Sequence, residues 1–253
     1  MLVNPTIEKL VRLKLTGMRQ ALEEQFQLPE VVELSFEDRL GLLIDREITE
    51  RENRRLKRRL SVAKLRQQAC MEDIDYRHRR GLDKSLMVEL TSCEWITQSK
   101  NILIIGPTGV GKTYLACALA NKACRNGLDA QYIRLPKFLY ELKIARADGS
   151  YLKRLAQLSK MDLLVLDDWG LNTLSDEQRR DLLEVLEERY ANSSTLIASQ
   201  IPTEHWHELI GDPTIADAIL DRLVHNAYKV ILEGESMRKH RAMTTKNKEA
   251  TQI

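Results

Sequence analysis

Residues 106–113 read GPTGVGKT, a match without departure to G-x-x-x-x-G-K-[ST]. No other stretch restricts the possible folds as strongly, because such a loop works only between a strand and a helix. The apolar run NILII precedes it, and helix formers follow from Lys112. The glycines let the backbone curl so that successive N–H groups point inward, and the positive end of the following helix faces the same space. That cradle suits phosphate. Lys112 is expected to neutralise the β- and γ-phosphates and Thr113 to bind Mg2+ through its hydroxyl. The candidate nucleotide contacts are Gly106, Pro107, Thr108, Gly109, Val110, Gly111, Lys112, Thr113 and Tyr114, with ATP and Mg2+ as cofactors. A glycine-rich turn matching by chance would not be framed by strand and helix in this order.

Short apolar runs rich in β-branched residues recur at 101–106, 130–135, 162–167, 195–200 and 228–233. Helical patterns separate them, at 112–126, 136–159, 176–191 and 214–226. This alternation predicts an α/β fold with a central parallel sheet flanked by helices and joined by right-handed crossovers. The run DLLVLDDWG (162–170) carries Asp167 to the end of a buried strand, where it is the natural metal-side carboxylate. Asp168 is placed to orient or deprotonate an attacking water. A plain strand-end turn is the bland reading of this acid pair, and the complete phosphate loop upstream argues against it.

Residues 1–67 show no strand signal. MRQALEEQF (18–26) reads as helix up to a break at Leu28–Pro29. Ser35, with Asp38 three residues on, then reads as the N-cap of a long helix from Phe36 to about Gln68. Leu40, Ile44 and Ile48 form an apolar stripe, resumed by Leu56, Leu60 and Ala63. Within this helix lies RENRRLKRRL (51–60), where Arg51, Arg54, Arg55, Lys57, Arg58 and Arg59 face one acid, Glu52, and Lys64 and Arg66 extend the run. The whole chain is formally only +2, from 39 basic and 37 acidic side chains, so this positive charge is local and suggests a surface aimed at one partner. Pairs such as Glu47–Arg51 and Glu50–Arg54 offer the alternative of a solvated, ion-paired face, but the acids near 54–59 are too few to neutralise it. An acidic protein is a further alternative. Phosphates along a duplex fit best. No aromatic residue interrupts the run, which argues against base-stacking capture of single strands.

Other classes are disfavoured. Cys70, Cys93, Cys117 and Cys124 have neither disulfide nor metal spacing. The N-terminus lacks the apolar core of a secretory signal, and no apolar run approaches the ~20 residues of a membrane helix. A cytoplasmic protein without membrane association is expected. His205 and His207 in HWH face different directions on a helix and have no completing ligands, so a metal site is not expected there. The residues between the two parts, MEDIDYRHRRGLDKSL (71–86), read as a linker running into a helix that ends near Trp95; Ile74 and Tyr76 are candidates for adenine contact. The last residues, TTKNKEATQI, read as a disordered tail.

The strand AQYIRL (130–135), inserted between the phosphate loop and the acid-bearing strand, resembles the arrangement in AAA+ and related ATPases. That resemblance implies a polar sensor at the end of the next strand, where Ser199 and Gln200 compete and Gln200 is favoured. It also implies an arginine finger, offered by Arg222 in ILDRLVHNA, and a second sensor, offered by Arg238 in GESMRK. Surface salt bridges are the bland reading of both arginines. More specifically, RRGLDKSL, WITQSKNILIIGPTGVGKTYLACALA, DLLVLDDWGL, TLIASQIPTEHWHELIGDPTIADAILDRLVHNAYKV and GESMRK are similar to the IstB-like ATPases, the AAA+ helpers of insertion-sequence transposition related to DnaC-type helicase loaders. The likeness covers roughly residues 72 to 240, and the charged helical N-terminus resembles the family too. It implies an AAA+ P-loop NTPase domain (71–245) preceded by a small all-helical N-terminal domain (1–70) and followed by a tail (246–253). It further implies an ATPase that oligomerises through its AAA+ domain, binds duplex target DNA and delivers it to a cognate transposase, with Arg222 acting across a subunit boundary and Arg238 within one. Asp168 stands where most AAA+ members carry Glu, one methylene longer, so slow basal turnover is expected. The alternatives are a loader that places a replicative helicase on DNA, built on the same motor, and an ATP-switched protein scaffold without a DNA role.

Overall fold

Contacts divide the chain into two units, residues 1–58 and 59–253. The computed structural model describes residues 5–28, 31, 33–78 and 80–237. The expectations for a break at Pro29, for Arg238 and for the tail at 244–253 lie outside the described residues.

The first unit is helical. Its elements are α1 (Pro5–Arg12), α2 (Thr16–Gln27) and the greater part of α3 (Phe36–Ala63). Buried Glu47 on α3 organises the packing. Its carboxylate accepts from the N–H groups of Gly17 (2.7 Å) and Met18 (3.2 Å), which open α2, and from Arg51 Nε (2.7 Å) one turn along. An anion at a helix N-terminus satisfies donors that the helix itself leaves unpaired. The Ser35 cap forms as expected: Asp38 N donates to Ser35 Oγ (3.1 Å), and Ser35 Oγ donates to Asp38 Oδ2 (2.7 Å).

One expectation for α3 is corrected. The helix stops at Ala63 and not near Gln68, because Lys64 turns into the left-handed region at φ 49°. The stripe of Leu40, Ile44 and Ile48 is not buried; these side chains are 37%, 44% and 50% exposed. Apolar spacing marked a face but not what covers it.

The second unit starts with a 3-10 turn (Met71–Asp73), α4 (Lys84–Thr91) and α5 (Glu94–Thr97). One helix ending near Trp95 was expected; Cys93, at φ 63°, divides it in two. The 71–86 segment is also more than a linker, since Met71, Ile74 and Arg80 are buried. Then follow β1 (Asn101–Ile105), α6 (Lys112–Arg125), β2 (Ala130–Arg134), α7 (Leu135–Ala147), α8 (Tyr151–Ser159) and β3 (Leu163–Trp169). The chain ends its described part with α9 (Asp176–Arg189), β4 (Ser194–Ser199), α10 (Trp206–Ile210), α11 (Pro213–Val224) and β5 (Ala227–Ile231).

The strands form one parallel sheet in the order β2-β3-β4-β1-β5. Every residue of β1 and β4 is buried, as expected for strands covered on both faces. Leu103, Ile105, Leu164, Leu166 and Ile197 share one core with buried side chains of α7 to α11. Alternation sends Ile102, Ile104, Val165 and Leu196 to the opposite face, and α6, with buried Leu115, Cys117, Leu119 and Cys124, packs against β1 to β4. The sheet order places β1 and β3 on either side of β4, so the phosphate loop after β1 and the acids ending β3 open at the same sheet edge.

The expected single helix over 136–159 is two helices. Asp148 Oδ1 accepts from the N–H (2.9 Å) and Oγ (2.6 Å) of Ser150, and Gly149 takes a left-handed φ of 77°. This local turn competes successfully with helix continuation. Among the described residues, no helix is long and apolar enough to cross a membrane.

Candidate active site

Gly111 caps α6 at φ 105°, a conformation that costs other residues strain, and a Cβ there would lie 2.6 Å from Arg80 Nη1. The glycine at this position of the loop thus has a steric reason in this molecule. Lys112 is buried and its Nζ donates back to the carbonyls of Gly106 (2.7 Å) and Pro107 (2.8 Å). Thr113 Oγ1 donates to Asp167 Oδ2 (2.7 Å), which brings the two expected metal-side oxygens together. Tyr132 OH donates to the same Oδ2 (2.6 Å), and Asp168 N to Asp167 Oδ1 (2.9 Å). Burial first, and then the Asp167 carboxylate, push the Tyr132 hydroxyl well above its ordinary range, so it stays a donor.

Asp168 leaves the strand differently. The β3–β4 register shifts between Leu166 and Trp169, and Asp168 adopts φ 60°. A bulge re-aims the side chains it contains, and Asp tolerates this backbone region better than most residues. The redirected carboxylate pairs with Arg134 Nε, and Arg66 Nη1 lies 3.8 Å from the same oxygen and 4.0 Å from Asp167 Oδ2. Hydrogen bonding with Tyr132 is the largest influence raising the Arg66 pKa above its usual value. Neither arginine's link to Asp168 was read from the sequence. Arg134 ends β2, directly opposite Asp167 in the register, and that pairing is visible only once the strand order is known.

At the end of β4 the two sensor candidates separate. Ser199 is fully buried; its hydroxyl donates to Ile201 O (2.9 Å), with Trp169 O at 3.2 Å, and accepts from Ile201 N (3.0 Å). Gln200 Oε1 accepts instead from Thr108 Oγ1 of the phosphate loop (2.6 Å). The structure therefore places Gln200, not Ser199, at the loop.

A cavity of about 170 Å³ adjoins the loop, walled by Asp73, Asp75, Arg80, Tyr114 and Met237 as well as by Gly109, Gly111, Lys112 and Thr113. The 71–86 segment does line it, but through Asp73, Asp75 and Arg80; Ile74, an expected adenine contact, is buried, and neither it nor Tyr76 is among the wall residues. Arg80 was missed from the sequence. The residue is buried; its guanidinium donates from Nη1 to Val110 O (3.0 Å) and from Nη2 to Asp75 O (3.2 Å), and burial lowers its pKa. Nothing short of its 30-residue reach to Val110 distinguishes it from neighbouring arginines. Met237 N donates to Gly109 O (2.9 Å), so the chain reaches the loop immediately before position 238.

The remaining candidates are placed as follows. Arg222 pairs with Glu187, donates to Ala218 O (2.7 Å) and lies over the Tyr190 ring, so its partners among the described residues belong to α9 and α11 and their flank, not to the phosphate loop. On α3, Arg51 pairs with Glu47 and Arg54 with Glu50 (3.5 Å). Arg55, Lys57 and Arg58 are exposed and have no ion pair among the described residues. Arg59 is separated from them: it belongs to the second unit and its Nε lies 3.4 Å from Asp129.

Residues 8–245 match the family described as IstB-like ATP binding protein. The chain belongs to that family. It is 50% identical over 240 residues to the insertion sequence ATP-binding protein y4pL of Sinorhizobium fredii, covering 95% of this chain and 98% of that one. The IS1162 ATP-binding protein of Pseudomonas fluorescens is 50% identical over 204 residues, 80% of this chain and 88% of that one. Among solved structures, AMPPCP-bound DnaA from Aquifex aeolicus superposes with a TM-score of 0.56 at 20% identity, over 74% of this chain and 56% of that one; this likeness shows the fold. This IstB-like protein thus has the AAA+ P-loop fold, binds ATP and is an ATPase.

Proposed function

We propose that this IstB-like protein is an insertion-sequence helper that couples ATP turnover to duplex DNA, oligomerising on target DNA through its AAA+ domain (71–245) and delivering it to a cognate transposase. The observation that carries the reading is the joining of a complete phosphate loop to a catalytic acid, Asp168, restrained by two arginines, in a chain that also exposes an unneutralised basic helix face. The insertion-sequence names of relatives spanning nearly the whole chain support it.

The residues fit ATP with Mg2+. Thr113 Oγ1 and Asp167 Oδ2 are adjacent oxygen donors of the kind hard divalent cations take. Mg2+, when bound, neutralises phosphate charge and orients the triphosphate. Lys112, which now donates to loop carbonyls, exchanges them for β- and γ-phosphate oxygens. Thr108 to Thr113 present backbone N–H groups to the same oxygens, Tyr114 and Arg80 wall the adjoining cavity, and Gln200 positions the attacking water beside Thr108. Asp168 accepts the water's proton as the new P–O bond forms and the β–γ bridging oxygen leaves with ADP. Arg134 and Arg66 both engage Asp168 Oδ2, so this acceptor oxygen is occupied and turned away from the water it must receive a proton from. Hydrolysis therefore waits for Arg134 and Arg66 to be drawn away. Arg222 completes the neighbouring subunit's site, and Arg238 contacts the γ-phosphate of its own; both add positive charge where the transferred phosphoryl group develops negative charge.

Arg51, Arg54, Arg55, Lys57, Arg58 and Arg59 are the DNA-contact set suggested by the sequence, with Arg55, Lys57 and Arg58 the strongest because they are exposed and have no ion pair among the described residues. Such contacts position DNA without reading bases, so low sequence specificity follows. The test is binding of labelled duplex and single-stranded DNA at one salt concentration, with no nucleotide, ADP, ATP or a non-hydrolysable analogue. Duplex binding that requires the triphosphate supports the proposal. Preference for single strands favours the helicase-loader alternative, and absence of DNA binding in every state favours a protein scaffold.

A further inference from the structure

Within the second unit, a separate cavity of about 340 Å³ lies beside the Asp168 pairs, and no residue of the phosphate loop lines it. Lys64, Arg66, Arg134, Lys137 and Arg154 line it, against one carboxylate, Glu141. Local acids do not balance this charge. Glu141 is shared by Lys137 (3.8 Å) and Arg154 (3.2 Å), Asp168 is shared by Arg66 and Arg134, and Lys64 has no ion pair among the described residues. Lys64 directly follows α3, with its backbone in the left-handed region at φ 49°.

A second observation points to the sign and shape of a ligand. The 13-residue helix α7 begins at this cavity, with Arg134 at its N-cap position, Pro136 in its first turn and no side chain capping it. An uncapped helix N-terminus carries a partial positive charge and unpaired N–H donors, although Pro136 supplies none of them. Cationic side chains around such an end make a phosphate site. The cavity is open to solvent through exposed Lys64 and Lys137, so it can take a group carried on a large polymer.

We propose that this cavity binds a backbone phosphate of duplex DNA, as a site distinct from the basic face of α3. The inference rests on the duplex-DNA reading above. Its consequence follows from geometry: Arg66 and Arg134 hold Asp168 on one side and line the phosphate cavity on the other, so a phosphate competes with Asp168 for the same guanidinium groups. DNA seated there frees the catalytic base.

The test uses the full-length protein with Lys64→Gln and Lys137→Gln combined, two exposed positions that do not touch Asp168. Duplex affinity is measured across a salt series, and hydrolysis with and without duplex. The expected result is a log–log salt slope shallower by about 1, one phosphate contact, and a smaller ratio of DNA-stimulated to DNA-free hydrolysis. An unchanged slope and ratio in a variant that binds duplex would overturn the inference alone. Failure of the wild-type protein to bind duplex in any nucleotide state would overturn the parent reading along with it. Inorganic phosphate serves as the control: stimulation by it equal to that by duplex would assign the cavity to free phosphate and reject DNA as its ligand.

Discussion

The two units of this chain are stabilised in different ways. The second is built around a parallel sheet whose inner strands β1 and β4 are fully buried and whose faces are covered by α6 on one side and α7 to α11 on the other. The first buries little beyond Leu10, Gly17, Ala21, Gln25 and Glu47, and leaves Phe26, Phe36, Leu42 and Ile48 at least 49% exposed. Its order depends on one buried carboxylate that caps α2 and pairs with Arg51. A unit with a deep core can hold a strained acid such as Asp168 in place, because the surrounding packing overdetermines it. A unit with a thin core is suited to presenting a charged surface, and that is where Arg55, Lys57 and Arg58 lie exposed.

The largest effects are expected in the second unit. Asp168→Asn should lower hydrolysis by about 100-fold or more, the usual worth of a general base, while ATP binding persists; single-turnover kinetics beside nucleotide titration separates the two. If binding and turnover fell together, Asp168 would have a structural role instead. Lys112→Ala should weaken ATP by at least about tenfold, the scale of lost hydrogen bonds from a charged donor, read as loss of the ATP-induced rise in Tm.

Next in size is the contrast between the basic face and the core. Reversing Arg54, Arg55 and Arg58 to Glu, with Arg59 left to its Asp129 pair, should reduce duplex affinity by more than tenfold at low salt and flatten its salt dependence. Unchanged affinity would move DNA binding away from α3. Arg134→Ala should act in the opposite direction and raise DNA-free turnover. A half-exposed ion pair contributes up to about 1 kcal/mol, equivalent to roughly fivefold in rate. A fall in DNA-free turnover would mean that Arg134 assists catalysis.

The phosphate loop, Asp167 and the parallel sheet were legible because each rests on local chemistry: a glycine loop between strand and helix, an acid ending an apolar strand, runs of β-branched residues. Arg66, Arg80, Arg134 and Tyr132 were not legible, because their importance comes from contacts across 30 or more residues that depend on strand order. The break at Asp148–Ser150 had a local signal, an Asp-Gly-Ser turn, that helical periodicity on both sides obscured. For the α3 stripe, spacing reports an apolar face, not whether a partner covers it.

The smallest predicted effect belongs to the first unit. Burial opposes the charge on Glu47, but the Arg51 hydrogen bond and the Met18 and Gly17 N–H groups outweigh it and hold the carboxyl below its usual range. Its stabilising contribution is therefore complete above the unfolded-state pKa and is lost as pH falls through the lower folded-state value. Glu47→Gln should destabilise this unit by about 1 kcal/mol, the scale of a lost helix cap. Thermal unfolding of wild type and variant should differ at neutral pH and converge in acid; a difference that persists unchanged in acid would point to packing and not charge.

The most direct measurement is the steady-state ATP hydrolysis rate of the full-length protein without DNA and with saturating duplex. Slow turnover alone that rises with duplex is the result predicted for an Asp168 restrained by Arg66 and Arg134 until DNA arrives. Fast turnover without DNA, unaltered when duplex is added, would contradict it.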